Sequence, residues 1–164
     1  MRTMSVKKTL ITSLVTAVGS GFSPRAPGTA ASLLLVISCY AVSRLHMSFF
    51  LTGLKLLFLI VLIAGVPLSS YAEKNIFFRK DDPRIVIDEI CGMLIPLMLY
   101  GLMPISIEIW YALSFVFFRF FDILKPLGIN SLQKLNGGWG VMLDDVAAGF
   151  AAAVSVHLTA LVIQ

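Results

Sequence analysis

The sequence predicts an all-helical bundle that crosses a membrane several times. Three observations carry that reading. Of 164 residues, 58% are hydrophobic and only 13% charged, with a mean hydropathy of +0.91, whereas soluble domains carry about 25% charged residues. The apolar residues come in blocks of membrane-crossing length. The charges between those blocks gather on one side once the blocks are threaded back and forth. The length fits one unit, residues 1–164, with no linker, internal repeat or low-complexity tract.

The first apolar stretch, residues 9–22, is broken by Thr12, Ser13, Thr16, Gly19 and Ser20, so it reads as an interfacial or re-entrant helix. Lys7 and Lys8 ahead of it and Ala17-Val18-Gly19 behind it imitate a secretory signal, but the polar interruptions make a weak apolar region. A membrane span needs about 20 mostly apolar residues, and five segments offer one. Residues 28–45 form the first and residues 49–70 the second, with Lys55 close enough to one end to snorkel. Residues 87–104 form the third. The fourth, residues 105–124, is interrupted by Arg119 and Asp122, which leaves an apolar run of 109–118 and a short or tilted span. The fifth, residues 145–163, is rich in Ala and Gly; small residues let helices pack closely in lipid, so this helix is expected at the centre.

With the N-terminus inside, eleven basic residues fall on the inner side and only Arg44 and Lys55 on the outer. That positive-inside bias predicts a cytoplasmic N-terminus, with outer turns near His46 and Pro104. The acids took no part in that assignment. Eight of them, Glu73, Asp81, Asp82, Asp88, Glu89, Asp122, Asp144 and Asp145, land on the same inner side, and Glu108 alone lies outside. Acids contribute little to topology, so their clustering points to a site. The net charge of +4 and pI near 9.3 belong to no basic helix or aromatic-interleaved patch, which argues against nucleic acid and for anionic lipid headgroups. Cys39 and Cys91 sit within apolar blocks and read as small buried hydrophobes.

Four polar segments converge on the inner face. In Ser23-Pro24-Arg25-Ala26-Pro27-Gly28-Thr29 the prolines force extended or turn geometry, and Arg25 is either a fork for phosphate or a topogenic charge in a connector. In the second, Asp82 before Pro83 reads as a helix N-cap. Asp88 and Glu89 then stand at the mouth of an apolar span, where carboxylates are costly unless paired or bound to a cation; an Arg84–Asp88 surface pair is the plainer alternative. In the third, Arg119, Asp122 and Lys125 share one helical face, as an interfacial ion pair or as phosphate-binding cations beside a metal ligand. In the fourth, Gly137, Gly138 and Gly140 can form a loop whose N–H groups approach an anion. Asp144 and Asp145 then open the last span; N-capping explains one of them, but two suit a hard cation such as Mg²⁺.

No Cys-x5-Arg loop, Gly-x-Ser-x-Gly elbow or Walker A segment is present. His46 and His157 fall toward the outer side. Carboxylates, cations and glycine backbone remain, a set suited to Mg²⁺-assisted phosphoryl displacement. The candidate catalytic residues are Asp88, Glu89, Asp122, Asp144 and Asp145, with Asp88, Glu89, Asp144 and Asp145 as metal ligands. Arg25, Arg119, Lys125 and Gly138 are the candidates for binding substrate phosphate.

Taken in order, SPRAPGTAASL, DDPRIVIDEICG, RFFDILKP and GGWGVMLDDVAAG resemble the phosphatidylglycerophosphatase A family over roughly residues 21–153. The matching positions are Arg25, Pro27, Gly28, Thr29, Asp88, Glu89, Gly92, Arg119, Asp122, Lys125, Pro126, Gly138, Asp144, Asp145 and Gly149. The resemblance implies hydrolysis of the phosphate monoester of phosphatidylglycerophosphate to phosphatidylglycerol and inorganic phosphate. It also implies dependence on Mg²⁺, a phospholipid substrate in the cytoplasmic leaflet and a bacterial inner membrane. Direct attack by water and an aspartyl-phosphate intermediate both remain open. A CDP-alcohol phosphotransferase would need a longer aspartate array than this chain has, and a small solute carrier would place acids near the bilayer midplane.

Overall fold

A computed structural model describes residues 5–44, 47–126 and 128–163. Arg2, Leu45 and His46, which figure in the sequence reading, lie outside the described residues. Those residues form six helices and no strand: α1 (Val6–Val15), α2 (Pro27–Ser43), α3 (Met47–Ala72), α4 (Ile87–Met98), α5 (Ile107–Leu124) and α6 (Gly138–Ile163). A π-helical turn, Glu73–Phe77, prolongs α3, and short 3-10 turns cover Ser20–Phe22 and Ile129–Lys134.

Apolar content alone does not say which helix is innermost. The last helix packs centrally, as expected, against α3, α4 and α5, and α4 shares the centre with it, contacted by α2, α3, α5 and α6. Most positions of α4 are buried, including Cys91, Met93, Leu94, Ile95 and Leu97. The small residues of α6 bring that helix against α4. A Cβ placed on Gly149 would overlap the carbonyl oxygen of Gly92, and one on Gly92 would overlap that of Asp145. Backbone therefore meets backbone where the two helices cross, a contact that only glycine permits.

The outward faces are apolar. Leu34 and Ile37 on α2, Ile60 and Ile63 on α3, Val116 on α5 and Val154 and Leu158 on α6 are all exposed. A belt of that kind on several helices marks a surface meant for an apolar surrounding. Two helices are long and apolar enough to cross a membrane, Phe49–Phe77 and Gly138–Ile163. Helix α2 is apolar but has 17 residues, α5 carries charge in its last turns, and α4 has only 12 residues, about 18 Å of helix.

Polar residues collect at the two ends. At one end Glu108 accepts a hydrogen bond from Tyr40 Oη at 3.0 Å and lies 3.7 Å from Arg44. Glu108 and Arg44 thus share one end of the bundle. His157 stays in that half of the bundle, its ring edge-on to the buried Trp110 at 4.8 Å and its Nδ1 2.8 Å from Ala153 O. Every other polar segment discussed above lies at the opposite end. There α1 is bound to α3 by Lys8, whose Nζ donates to Asn75 O at 2.8 Å. The Val86 N–H donates to Val15 O, also at 2.8 Å, and holds the approach to α4.

In that approach Asp82 does not cap a helix, because α4 begins only at Ile87. Asp82 accepts instead from the Arg84 N–H and from Arg84 Nε and Nη2, the latter two at 2.7 and 2.8 Å. Arg84 holds the Asp82 carboxyl below its ordinary value, and the guanidinium also stacks on Phe77. Arg84 is therefore taken, and the alternative Arg84–Asp88 pair does not form.

Candidate active site

Asp88 lies one turn before Gly92 on α4, and Asp145 lies one turn before Gly149 on α6. The glycine crossing consequently draws both carboxylates to the same place. Glu89 joins them: one oxygen from each of Asp88, Glu89 and Asp145 lies within 4.8 Å of the other two. Asp88 and Asp145 are buried. Asp88 Oδ1, Glu89 Oε2 and Asp145 Oδ2 are buried with no hydrogen-bond partner. Three carboxylates in that condition are not at rest, because a buried anion needs a counter-charge or a donor.

Two cations stand beside the trio, each in an ion pair with another carboxylate, and Arg119 Nε and Nη1 make no hydrogen bond. Arg119 Nη1 lies 2.5 Å from Asp122 Oδ2, with both side chains largely buried. Lys125 forms an ion pair with Asp144 Oδ2. It stands just past α5 in the left-handed conformation, φ 45°, with its N–H on Phe121 O at 2.8 Å. That conformation is costly for a residue with a side chain, and here it accompanies the turn of Lys125 toward α6. Five carboxylates against two cations leave a formal excess of three negative charges in a largely buried cluster.

The start of α2 closes the site from a further side. A Cβ on Gly28 would overlap Glu89 Oε1 and lie 3.2 Å from Arg119 Nη1. Any larger residue there would push the carboxylate and guanidinium apart.

Of the residues expected in the site, the structure gathers Asp88, Glu89 and Asp145 into one cluster and sets the Arg119–Asp122 and Lys125–Asp144 pairs around it. Asp144 departs from the expected metal set, because its Oδ2 is taken by Lys125; its Oδ1 has no partner. Gly138 departs from the phosphate-binding set. It is the first residue of α6 rather than part of a loop, its N–H donates to Ser70 Oγ at 2.7 Å, and a Cβ there would overlap Val66 O. Gly138 and Gly140 serve close packing, while Gly137, at φ 60°, forms the turn that leads into α6. Accordingly, Asp144 and Asp145 do not open the helix but lie about two turns inside it. Arg25 is exposed in the bend before α2 and outside the cluster.

Three structural supports of the site were not singled out chemically in the sequence. The Gly92 and Gly149 crossing sets the carboxylate separation. Ser70 receives the Gly138 N–H. Glu73 is buried, and its Oε1 accepts from the Asp81 N–H at 2.6 Å, folding back the connector between α3 and α4. A glutamate at the end of an apolar helix is the one signal that could have pointed to the last of these.

The sequence profile of the family described as phosphatidylglycerophosphatase A matches residues 13–160 of the chain. Among curated proteins, a phosphatidylglycerophosphatase A of Escherichia coli is 34% identical over 141 residues, covering 85% of this chain and 77% of its own. One of Haemophilus influenzae with the same description is 35% identical over 145 residues, covering 87% and 84%. A Bacteroides thetaiotaomicron protein described as a candidate phosphatidylinositol-3-phosphatase is 37% identical over 150 residues, covering 90% and 92%. No solved structure is a significant match.

Proposed function

The chain belongs to the phosphatidylglycerophosphatase A family, and we propose that it is a Mg²⁺-dependent lipid phosphatase that hydrolyses phosphatidylglycerophosphate to phosphatidylglycerol and inorganic phosphate. The observation that carries the reading is the trio Asp88, Glu89 and Asp145, with one buried, unpartnered oxygen on each and fewer cations than carboxylates around them. An all-oxygen donor set without histidine or cysteine suits a hard divalent ion. Such an ion, when bound, polarises a phosphoryl oxygen and offsets charge on the transferring phosphate.

The protein's own groups do the rest. Arg119 and Lys125 hold Asp122 and Asp144 in fixed positions and keep two positive charges next to the trio. Asp144 Oδ1, buried and unpartnered, is the oxygen available to take a proton from an attacking water. Arg25, exposed at the bend before α2, is placed to meet the phosphate as the substrate arrives.

The arrangement in the membrane follows the charges. We read α2 to α6 as five crossings, with the N-terminus and the carboxylate end in the cytoplasm of a bacterium and α1 at the interface. The short α4 fits this scheme because it packs against four other helices, which shelter most of its backbone from lipid. The substrate is then taken from the cytoplasmic leaflet. Family membership favours hydrolysis over CDP-alcohol phosphotransfer or solute transport.

The Bacteroides relative raises a second lipid monoester, phosphatidylinositol 3-phosphate. Phosphate release from each lipid by the purified protein, with Mg²⁺ and with EDTA, tests both points. Mg²⁺-dependent release from phosphatidylglycerophosphate is expected. Faster release from the phosphoinositide would transfer the assignment to that lipid, and undiminished turnover in EDTA after removal of bound metal would end the metal reading.

A further inference from the structure

A lipid substrate has two ends, and the carboxylate cluster accounts for only one. A groove of about 500 Å³ lies between α1, α2, α3 and α4. Its wall on α2 is formed by Ala31, Leu34, Leu35 and Ser38, residues three or four apart and so on one helical face. One turn earlier the same face begins at Gly28, where the absent side chain makes room for Glu89 and Arg119. On α4 the groove is lined by Ile87 and Ile90, which bracket Asp88 and Glu89 in the chain. From Ala31 to Ser38 the wall runs for about 10 Å of helix, starting beside the carboxylates. At the rim, Val18 is 90% exposed and Leu34 54%, so the groove opens toward the apolar surroundings of the bundle.

A second, independent feature lies on the opposite wall. Ala17 and Val18 both line the groove and both take left-handed backbone, φ 44° and φ 56°. For a β-branched residue this is an outlier, and such strain concentrates at ligand sites. The turn is held by the Val18 N–H on Ser13 O at 2.8 Å. It ends α1 at the groove and redirects the chain to Gly21, which packs against the Arg84 carbonyl.

We propose that this groove receives an acyl chain of the lipid whose phosphate is processed at Asp88, Glu89 and Asp145, which makes the gap between α1 and α2 the side from which the substrate enters. The proposal rests on the reading of the cluster as a lipid phosphatase site. The occupant follows from chemistry and from continuity. The lining is almost wholly apolar, so it takes a hydrocarbon chain and not a headgroup, and it begins at the residues that flank the carboxylates. Another apolar cavity, bounded by Leu99, Leu102, Phe150 and Leu158, lies at the far end of the bundle and lacks that connection.

The test uses the wild-type protein in lipid nanodiscs with phosphatidylglycerophosphate carrying a photoreactive diazirine in one acyl chain. Cross-links in the peptides containing Leu14–Ser20 and Ala31–Ser38 are expected. Cross-links concentrated at Leu99–Leu102 and Phe150–Leu158, or spread evenly over the outer belt, overturn the proposal. A kinetic arm compares Ser38→Phe, at the exposed edge of the groove, with Leu33→Phe, exposed on α2 but outside it. Ser38→Phe should lower kcat/KM for a long-chain substrate relative to a short-chain one by about tenfold. An equal change for both substrates, or the same shift in Leu33→Phe, counts against an acyl subsite. Groove cross-links without any phosphate release would overturn the phosphatase reading and leave the groove's occupant standing. Phosphate release without groove cross-links would overturn the groove alone.

Discussion

Replacing Asp145 by Asn removes one charge from the buried trio while nearly preserving the shape of the side chain. Oxygens of Asp88, Glu89 and Asp145 lie within 4.8 Å of one another. Two like charges at that separation repel by about 3.5 kcal/mol at an effective dielectric constant of about 20. Asp145 takes part in two of the three pairs, so before any relaxation the repulsion its charge meets comes to about 7 kcal/mol or more. Relaxation and counter-ions recover most of that sum, and we expect Asp145→Asn to gain about 2 kcal/mol, or a rise in Tm of roughly 4–8 °C. Mg²⁺ should act on one of the two proteins only. It stabilises the wild type by binding only the folded state, and it has lost a ligand in the variant. The assay is thermal unfolding in detergent with EDTA and with Mg²⁺, run beside phosphate release. The variant should be inactive, more stable than wild type in EDTA, and little affected by Mg²⁺. A variant less stable than wild type in EDTA would mean that the Asp145 carboxylate is satisfied within the fold, and the argument from unpartnered oxygens would fail.

Gly92→Ala sets a methyl group against the Asp145 carbonyl and the Phe118 ring; overpacking of this kind costs about 1–3 kcal/mol, so both Tm and turnover should fall, and a silent substitution would refute the close helix crossing. Removing Arg119 or Asp122 singly breaks a largely buried pair and should destabilise by about 3–5 kcal/mol. The double replacement by Leu should recover stability but not activity, and recovery of near-normal kcat/KM would remove both residues from the site. Arg84 lowers the Asp82 pKa below its ordinary value of 3.8, so the pairing contributes stability above that value and loses it as pH falls through the lower folded one. Asp82→Asn should therefore lower Tm at neutral pH, with the difference closing in acid; a constant difference across that range would show that the contribution is not ionic.

The helices were legible because a bilayer demands long apolar runs, and α2, α3 and α5 fall close to the expected limits. Where the limits moved, hydropathy carried no signal. Helix α4 ends at Met98, although the following Leu99-Tyr100-Gly101-Leu102-Met103 is just as apolar. The chain turns there without any change in its affinity for lipid. Helix α6 begins at Gly138, where the run of glycines suggested a loop. A glycine that permits a sharp turn and one that permits close packing look the same in a sequence, and only the Val66 carbonyl opposite Gly138 tells them apart. The central position of α4 was hidden for a related reason. Small residues on α6 announce a close contact but do not say which of the two partners is enclosed.

The adjacent acids show how a helix divides what the sequence joins. Successive residues on an α-helix point about 100° apart, so Asp144 and Asp145 must look in different directions once they lie within α6. Asp145 faces the trio and Asp144 faces Lys125. Read as a helix mouth, the pair appeared to serve one ion; read about two turns inside the helix, it faces two different partners. The same rotation separates Asp88 from Glu89, yet both reach the cluster, because α4 packs against helices on several sides. Asp88 lies beside the crossing with α6, while Glu89 meets Gly28 of α2 near Arg119 of α5. Whether neighbouring carboxylates act together is therefore decided by how far the helix is enclosed, a property of the neighbouring helices that their own spacing does not contain.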